Sequence, residues 1–319
     1  MSTQILEDKN PAQAEEKKEE VKGTESTEAT AEAAPAKRKR REIRAEKLRN
    51  EKRQKALAIA DEQRRKRVSI EFVTLKKLSK LKSSSEKIKV KDKKERLVID
   101  DGSQYGDSKN ALLVYHLACG TGAKFTEKLF DGISELYKAQ NPVDMERKFV
   151  FGSTYESNKG RLVKTKDTVN TLGYSTFIET FSPLFRFASG IIHNHIPEFH
   201  ETMLKLKLAP KQDRFGAFPN LALVPLKEGH INLGEDPIKY GYAVLIFAGD
   251  FDEDVLQLPN INGVIRLHGG SMVVLRAGLL QQYFQTSKKE QSENKFCAVL
   301  FASQRLWKHV DNEDVTKKW

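Results

Sequence analysis

The chain has 319 residues, enough for one or two domains, and carries a formal net charge of +11. Two cysteines, Cys119 and Cys297, exclude a disulfide framework and show no metal-ligand spacing. No stretch approaches the roughly 18 apolar residues of a membrane span, and the acidic start is neither a signal peptide nor an Arg-rich transit peptide, so the composition reads as soluble and intracellular, with no membrane partner.

The charge is segregated along the chain. Residues 1–36 hold nine acids against four bases and almost no large apolar residue. Such a segment cannot bury enough surface to offset chain entropy, which predicts a disordered acidic tail. Residues 37–67 hold fifteen Lys/Arg against five acids, residues 68–96 ten against four, and residues 97–319 balance to zero. Lys37, Arg38, Lys39, Arg40 and Arg41 open a run of good helix formers that meets no Gly or Pro before Ser69. Its apolar residues Ile43, Leu48, Leu57 and Ile59 make no sustained heptad, which argues against a coiled coil. A helix this basic is either merely solvated or lies on a polyanion. The second reading assigns Lys37–Arg41 to nuclear targeting and phosphate contact, with nucleic acid (DNA ahead of RNA) as partner and the nucleus as location. Leu75, Leu78 and Leu81 continue at helical spacing, and Ser83–Ser85 with a Lys-rich run form a linker. Leu97-Val98-Ile99 is the first convincing strand. The boundaries are therefore an acidic tail at 1–36, a basic helical leader and linker at 37–96, and a domain at 97–319.

Within that domain, Asn110–Leu117 is a strand or short helix. Cys119–Lys124 is glycine-rich but is not a phosphate loop, because Phe125 follows the lysine where Ser or Thr is needed. Thr126 is expected to cap an amphipathic helix through Leu129, Phe130, Ile133, Leu136 and Tyr137. Phe149–Phe151 reads as a strand, and Ser175–Leu206 as helix interrupted at Pro183 and Pro197. His193 and His195 are two apart, on roughly opposite helix faces, so no tetrahedral metal site is expected from them and His200, and all three read as surface or helix-packing residues.

From Phe218 the pattern changes to short apolar runs broken by turn residues: Asn220–Leu226, Tyr240–Phe247, Val255–Leu258, Gly263–Leu267, Ser271–Arg276 and Lys295–Phe301. Each is too short for a self-burying helix, and their spacing predicts antiparallel strands closing into a jelly roll. The fold class is α+β, with a double-stranded β-helix core flanked by helices.

An ordered set of motifs runs through these strands. It comprises Phe218-Pro219, His230-x-Asn232, Tyr240-Gly241-Tyr242, Gly249-Asp250-Phe251-Asp252, Gly269-Gly270, Leu279-Leu280-Gln281-Gln282, Lys295-Phe296-Cys297 and Leu306–Asn312. In this order they resemble the Tet/JBP-like 2-oxoglutarate- and Fe(II)-dependent oxygenases, in the form carried by fungal transposable elements. The resemblance covers roughly Leu184 to Asn312 and implies Fe(II) and 2-oxoglutarate as cofactors. It also implies that His230, Asn232 and Gln282 stand at the three metal-ligand positions, and Lys295 where a basic group meets the far carboxylate of 2-oxoglutarate.

The departures from the family are chemical. An iron triad of this kind uses two His and one carboxylate, and only His230 is kept. Asn232 replaces the carboxylate and Gln282 the second imidazole, both neutral amides. Lys295 keeps a charge but loses the arginine fork, and Glu253-Asp254 replaces a Gly pair. If Lys295 pairs internally, Glu235 and Asp236 are the nearest acids after the altered motif. The leading reading is an oxygenase-fold protein that has lost its iron chemistry and associates with nucleic acid through the basic leader. One alternative is an active dioxygenase oxidising a nucleic-acid base. Another is a transposon-derived interaction module that binds an acid metabolite.

Overall fold

The computed structural model describes residues 33–71, 73–81, 96–251, 253–286 and 295–309, in two units that divide between Glu51 and Lys52. Helix α1 (Ala33–Lys66) begins in the first unit, where residues 42–50 are exposed. The acidic segment 1–32, the linker 82–95 and the side chains of Lys37–Arg41 lie outside the described residues.

In the second unit the end of α1 docks through Ala56 and Ala60, one turn apart and both buried. Arg53 pairs there with Glu201 at 2.8 Å, and Gln63 accepts from Gln104 at 3.0 Å. Next come β1 (Val68–Ile70) and α2 (Leu75–Leu81), then β2 (Leu97–Val98), β3 (Gln104–Asp107) and β4 (Leu112–Leu117). The sequence reading starts the domain at Leu97, but the compact unit begins earlier. Strand β1 pairs in parallel with β3, and Ile70, Val73 and Leu78 are buried in the same apolar cluster as the later strands. Asp107 holds this corner, accepting from the backbone of Leu75, Lys109 and Ala111.

Helix α3 (Ala123–Lys138) starts before its expected cap. Gly122 is the N-cap, while Thr126 is buried in the first turn with its hydroxyl 2.7 Å from that of Thr121. Strands β5 (Phe149–Glu156) and β6 (Arg161–Lys164) form a hairpin followed by α4 (Lys166–Asn170), which Thr165 caps. Helix α5 (Tyr174–His195) runs through Pro183 without a break, and Pro197 opens α6 (Pro197–Lys205) in its first turn. A proline removes one intrahelical bond, and the buried face of Phe181, Leu184 and Phe185 holds the helix across that gap.

The remaining strands are β7 (Asn220–Pro225), β8 (Gly229–His230), β9 (Ala243–Gly249), β10 (Val255–Leu258), β11 (Gly263–Arg266), β12 (Met272–Leu275), β13 (Tyr283–Gln285) and β14 (Lys295–Phe301). Helix α7 (Gln304–His309) follows them. One sheet has the order β1-β3-β4-β12-β9-β14-β7-β5-β6, the other β2-β11-β10-β13-β8. Because side chains alternate along a strand, the larger sheet feeds two cores. Leu221, Leu223, Val244, Ile246, Phe296, Ala298 and Leu300 pack with α3, α5 and α6. Val224, Leu245, Phe247, Val273, Cys297, Val299 and Phe301 pack instead against Leu256, Leu258, Ile265 and Phe284 of the smaller sheet. The result is three layers: helices, large sheet and small sheet. Among the described residues no helix is long and apolar enough to cross a membrane.

Candidate functional site

At the open end of the smaller sheet, β8 pairs with β13 so that His230 lies opposite Tyr283. The two rings meet edge to face, with centroids 5.3 Å apart, and His230 is exposed. Past the strand, the Ile231 backbone donates to the Gln282 carbonyl at 3.0 Å, which brings the two motifs side by side although they are distant in sequence. A cavity of about 560 Å³ opens here, lined by His230, Asn232 and Gln282, with Glu235, Gln304 and Arg305 among the rest. The structure thus gathers the three sequence-predicted positions at one cleft. Gln304 and Arg305, which sequence reasoning did not single out, come from α7.

Iron and 2-oxoglutarate do not fit this donor set. Asn232 Oδ1 accepts from the Gly234 backbone at 2.9 Å, an Asx turn that commits its amide oxygen. Gln282 is buried, and its amide nitrogen donates to the Leu280 carbonyl. His230 is left with two neutral amides, one of whose oxygens already serves a local hydrogen bond, where a 2-His-1-carboxylate site needs charge and a second imidazole. Among the described residues no group of three or more His, Cys, Asp or Glu side chains is placed to hold a metal ion. The space between the sheets is filled with Phe247, Phe251, Leu256, Leu280 and Phe284.

Lys295 is absent from the cavity wall. It shares the inner face of β14 with Cys297, and its Nζ lies 2.6 Å from Asp254 Oδ2, with both residues buried. The internal partner is thus Asp254, and not Glu235 or Asp236, which line the cavity. The physical reason is topological: the pairing of β10 with β11 returns the backbone so that Leu267 N donates to Asp254 O at 2.9 Å, which brings Asp254 into the interior.

The histidines of α5 and α6 are packing residues. His200 Nε2 lies 3.0 Å from Ser189 Oγ, and its ring centroid is 4.9 Å from that of His193. His195 Nδ1 lies 3.0 Å from Gln104 Nε2, and its ring centroid is 4.7 Å from that of Tyr115. Burial pushes His195 and His200 each down to about 4, so both imidazoles are neutral at neutral pH. Burial likewise pushes the Cys297 thiol far up, which leaves it inert.

No family model matches the chain. Among solved structures, NgTET1 in complex with 5mC DNA superposes with a TM-score of 0.53 over 80% of this chain and 90% of that one, at 13% identity. A Shewanella oneidensis protein assigned as an oxygenase gives a TM-score of 0.30 over 74% of this chain and 89% of that one, at 10% identity. The arrangement of two sheets and flanking helices is thus the fold that NgTET1 has. In sequence, the chain is 38% identical over 307 residues to calnexin-independence factor 1 of Schizosaccharomyces pombe, covering 92% of this chain and 94% of that protein. It belongs to the calnexin-independence factor 1 family.

Proposed function

We propose that this chain is a catalytically silent member of the Tet/JBP-like oxygenase superfamily, of the fungal transposon-associated type, that works by binding. Its partner is nucleic acid, DNA ahead of RNA, held in the nucleus by the basic leader. The observation that carries the reading is the donor set at the cleft: one exposed imidazole beside two amides that already serve local hydrogen bonds. Two further features support it. The leader concentrates fifteen Lys/Arg against five acids in residues 37–67, whereas the body from 97 onward is neutral, and a protein of the same fold was solved on 5mC DNA. A role in calnexin independence, for which the relative is named, would then come from binding and not from oxidation.

The test is anaerobic titration of the purified chain with Fe(II), with and without 2-oxoglutarate. The expected result is no stoichiometric site of micromolar affinity. Stoichiometric Fe(II) binding that disappears in His230→Ala would overturn the reading and favour an active dioxygenase.

A further inference from the structure

A lysine ammonium placed between two β-sheets needs an anion, because an uncompensated buried charge is costly. Lys295 is 7% exposed and Asp254 is 0% exposed. Their 2.6 Å approach is a charge-assisted hydrogen bond in an apolar surround. The Lys295 Nζ lies 5.8 Å from the centre of the Phe251 ring, which meets Phe247 and Phe284 edge-on at 5.8 and 6.3 Å. Both partners are pinned by their backbones. Lys295 is in register with Gly249 of β9, and its carbonyl accepts from Leu226 at 2.8 Å, while the Asp254 carbonyl accepts from Leu267. Neither residue lines the cavity bounded by His230 and Gln282.

We propose that Asp254 is the resident ligand of Lys295: the protein's own carboxylate fills the place where a free carboxylic acid would meet that ammonium. The wild-type interior is accordingly closed to mono- and dicarboxylates, 2-oxoglutarate included. A soluble acid would have to displace an oriented carboxylate and take Lys295 away from a fully buried Asp254, which is the expensive way to break such a pair. The proposal rests on the reading of the fold as catalytically silent, yet it concerns a carboxylate site that needs no metal, so the two fail separately.

Thermal melts of the full chain test it, with sodium acetate and 2-oxoglutarate as probes at tens of millimolar and sodium chloride as the ionic-strength control. Wild type should shift by less than about 1 °C with either acid, the level expected when a ligand has no site on the native state. Asp254→Ala should melt lower by on the order of 10 °C, the shift expected from breaking a buried pair in a domain of this size. Acetate, but not chloride, should recover part of that drop. The double variant Asp254→Ala/Lys295→Met should not respond to acetate. A saturable rise in wild-type Tm with 2-oxoglutarate in the absence of metal, abolished in Lys295→Met, would overturn the proposal. So would failure of acetate to rescue a folded Asp254→Ala. Where Asp254→Ala does not fold, Asp254→Ser takes its place: it also removes the carboxylate and frees most of its space, so acetate should recover part of its drop as well. If 2-oxoglutarate binds only with Fe(II), it is the silent-oxygenase reading that fails.

Discussion

Arg276 and Tyr242 share one acceptor. Arg276 Nε donates to the Leu112 carbonyl at 2.7 Å, and the Tyr242 hydroxyl donates to the same oxygen at 3.0 Å. The guanidinium carbon stands 4.4 Å from the centre of the tyrosine ring. Arg276 is fully buried and also donates to the Tyr240 carbonyl, so one cation ties the start of β4 to the segment leading into β9.

Removing that cation should be among the more damaging single changes in the body. Arg276→Ala should cost about 3 kcal/mol, because it deletes charge-assisted bonds to two carbonyls and empties a fully buried site. Tyr242→Phe should cost about 1 kcal/mol, since Arg276 still serves Leu112. Urea unfolding of both variants and the double mutant checks this. The coupling energy should be non-zero, as expected for neighbours on one acceptor.

Acid should lower the stability of the whole fold through two partly buried histidines before it reaches the carboxylates. His195 and His200 have folded values near 4, against an ordinary 6.5, because burial disfavours their charged forms. Arg67 beside His195 and His193 beside His200 act in the same direction. The unfolded chain therefore binds more protons between pH 6.5 and 4, so stability is full above about 6.5 and falls as pH drops through that window. The decrease should be roughly 1–2 kcal/mol per histidine after allowing for partial solvent screening. Denaturation midpoints at pH 7 and pH 5 measure it, and His200→Gln should flatten the dependence.

The leader prediction concerns salt. Replacing Lys37, Arg38, Lys39, Arg40 and Arg41 with Gln in the full chain should weaken nucleic-acid binding equally across sequences. It should also shallow the plot of log K against log salt by about 0.9 for each duplex phosphate that is no longer neutralised. Filter binding across a range of salt concentrations reads the slope. An unchanged slope would move the interface onto the body.

The cleft offers a constructive test. Because His230, Asn232 and Gln282 line one cavity, Asn232→Asp combined with Gln282→His should create a site for a divalent transition metal. Co(II) absorption bands that appear in the double variant and vanish when His230→Ala is added would show that the three positions are in ligand register.

How much of this was legible in the sequence varied with element length and alternation. The ranges Val255–Leu258 and Lys295–Phe301 coincide with β10 and β14, because apolar runs there end at turn residues on at least one side. Strand Val68–Ile70 was not visible. It has three residues between Arg67 and Glu71, too few for alternation to register, and it exists because β3 supplies its hydrogen bonds. Pro183 misled for a related reason, since local chemistry predicts a break that the buried face of α5 overrides. The meeting of His230, Asn232 and Gln282 came from motif order. The partner of Lys295, 41 residues away, depended on how β10 and β11 return the chain, which no local signal records.

Every residue of β14 is buried, and its side chains alternate between the helical core and the core between the sheets. The strand is therefore a wall common to both cores, hydrogen-bonded on one edge to β7 and on the other to β9. Neither core can open to solvent while the other keeps its lining, so melting of the helical layer and of the inter-sheet layer is a single event. The amides of β14 should therefore exchange with solvent through global unfolding, the slowest class in a hydrogen-exchange measurement.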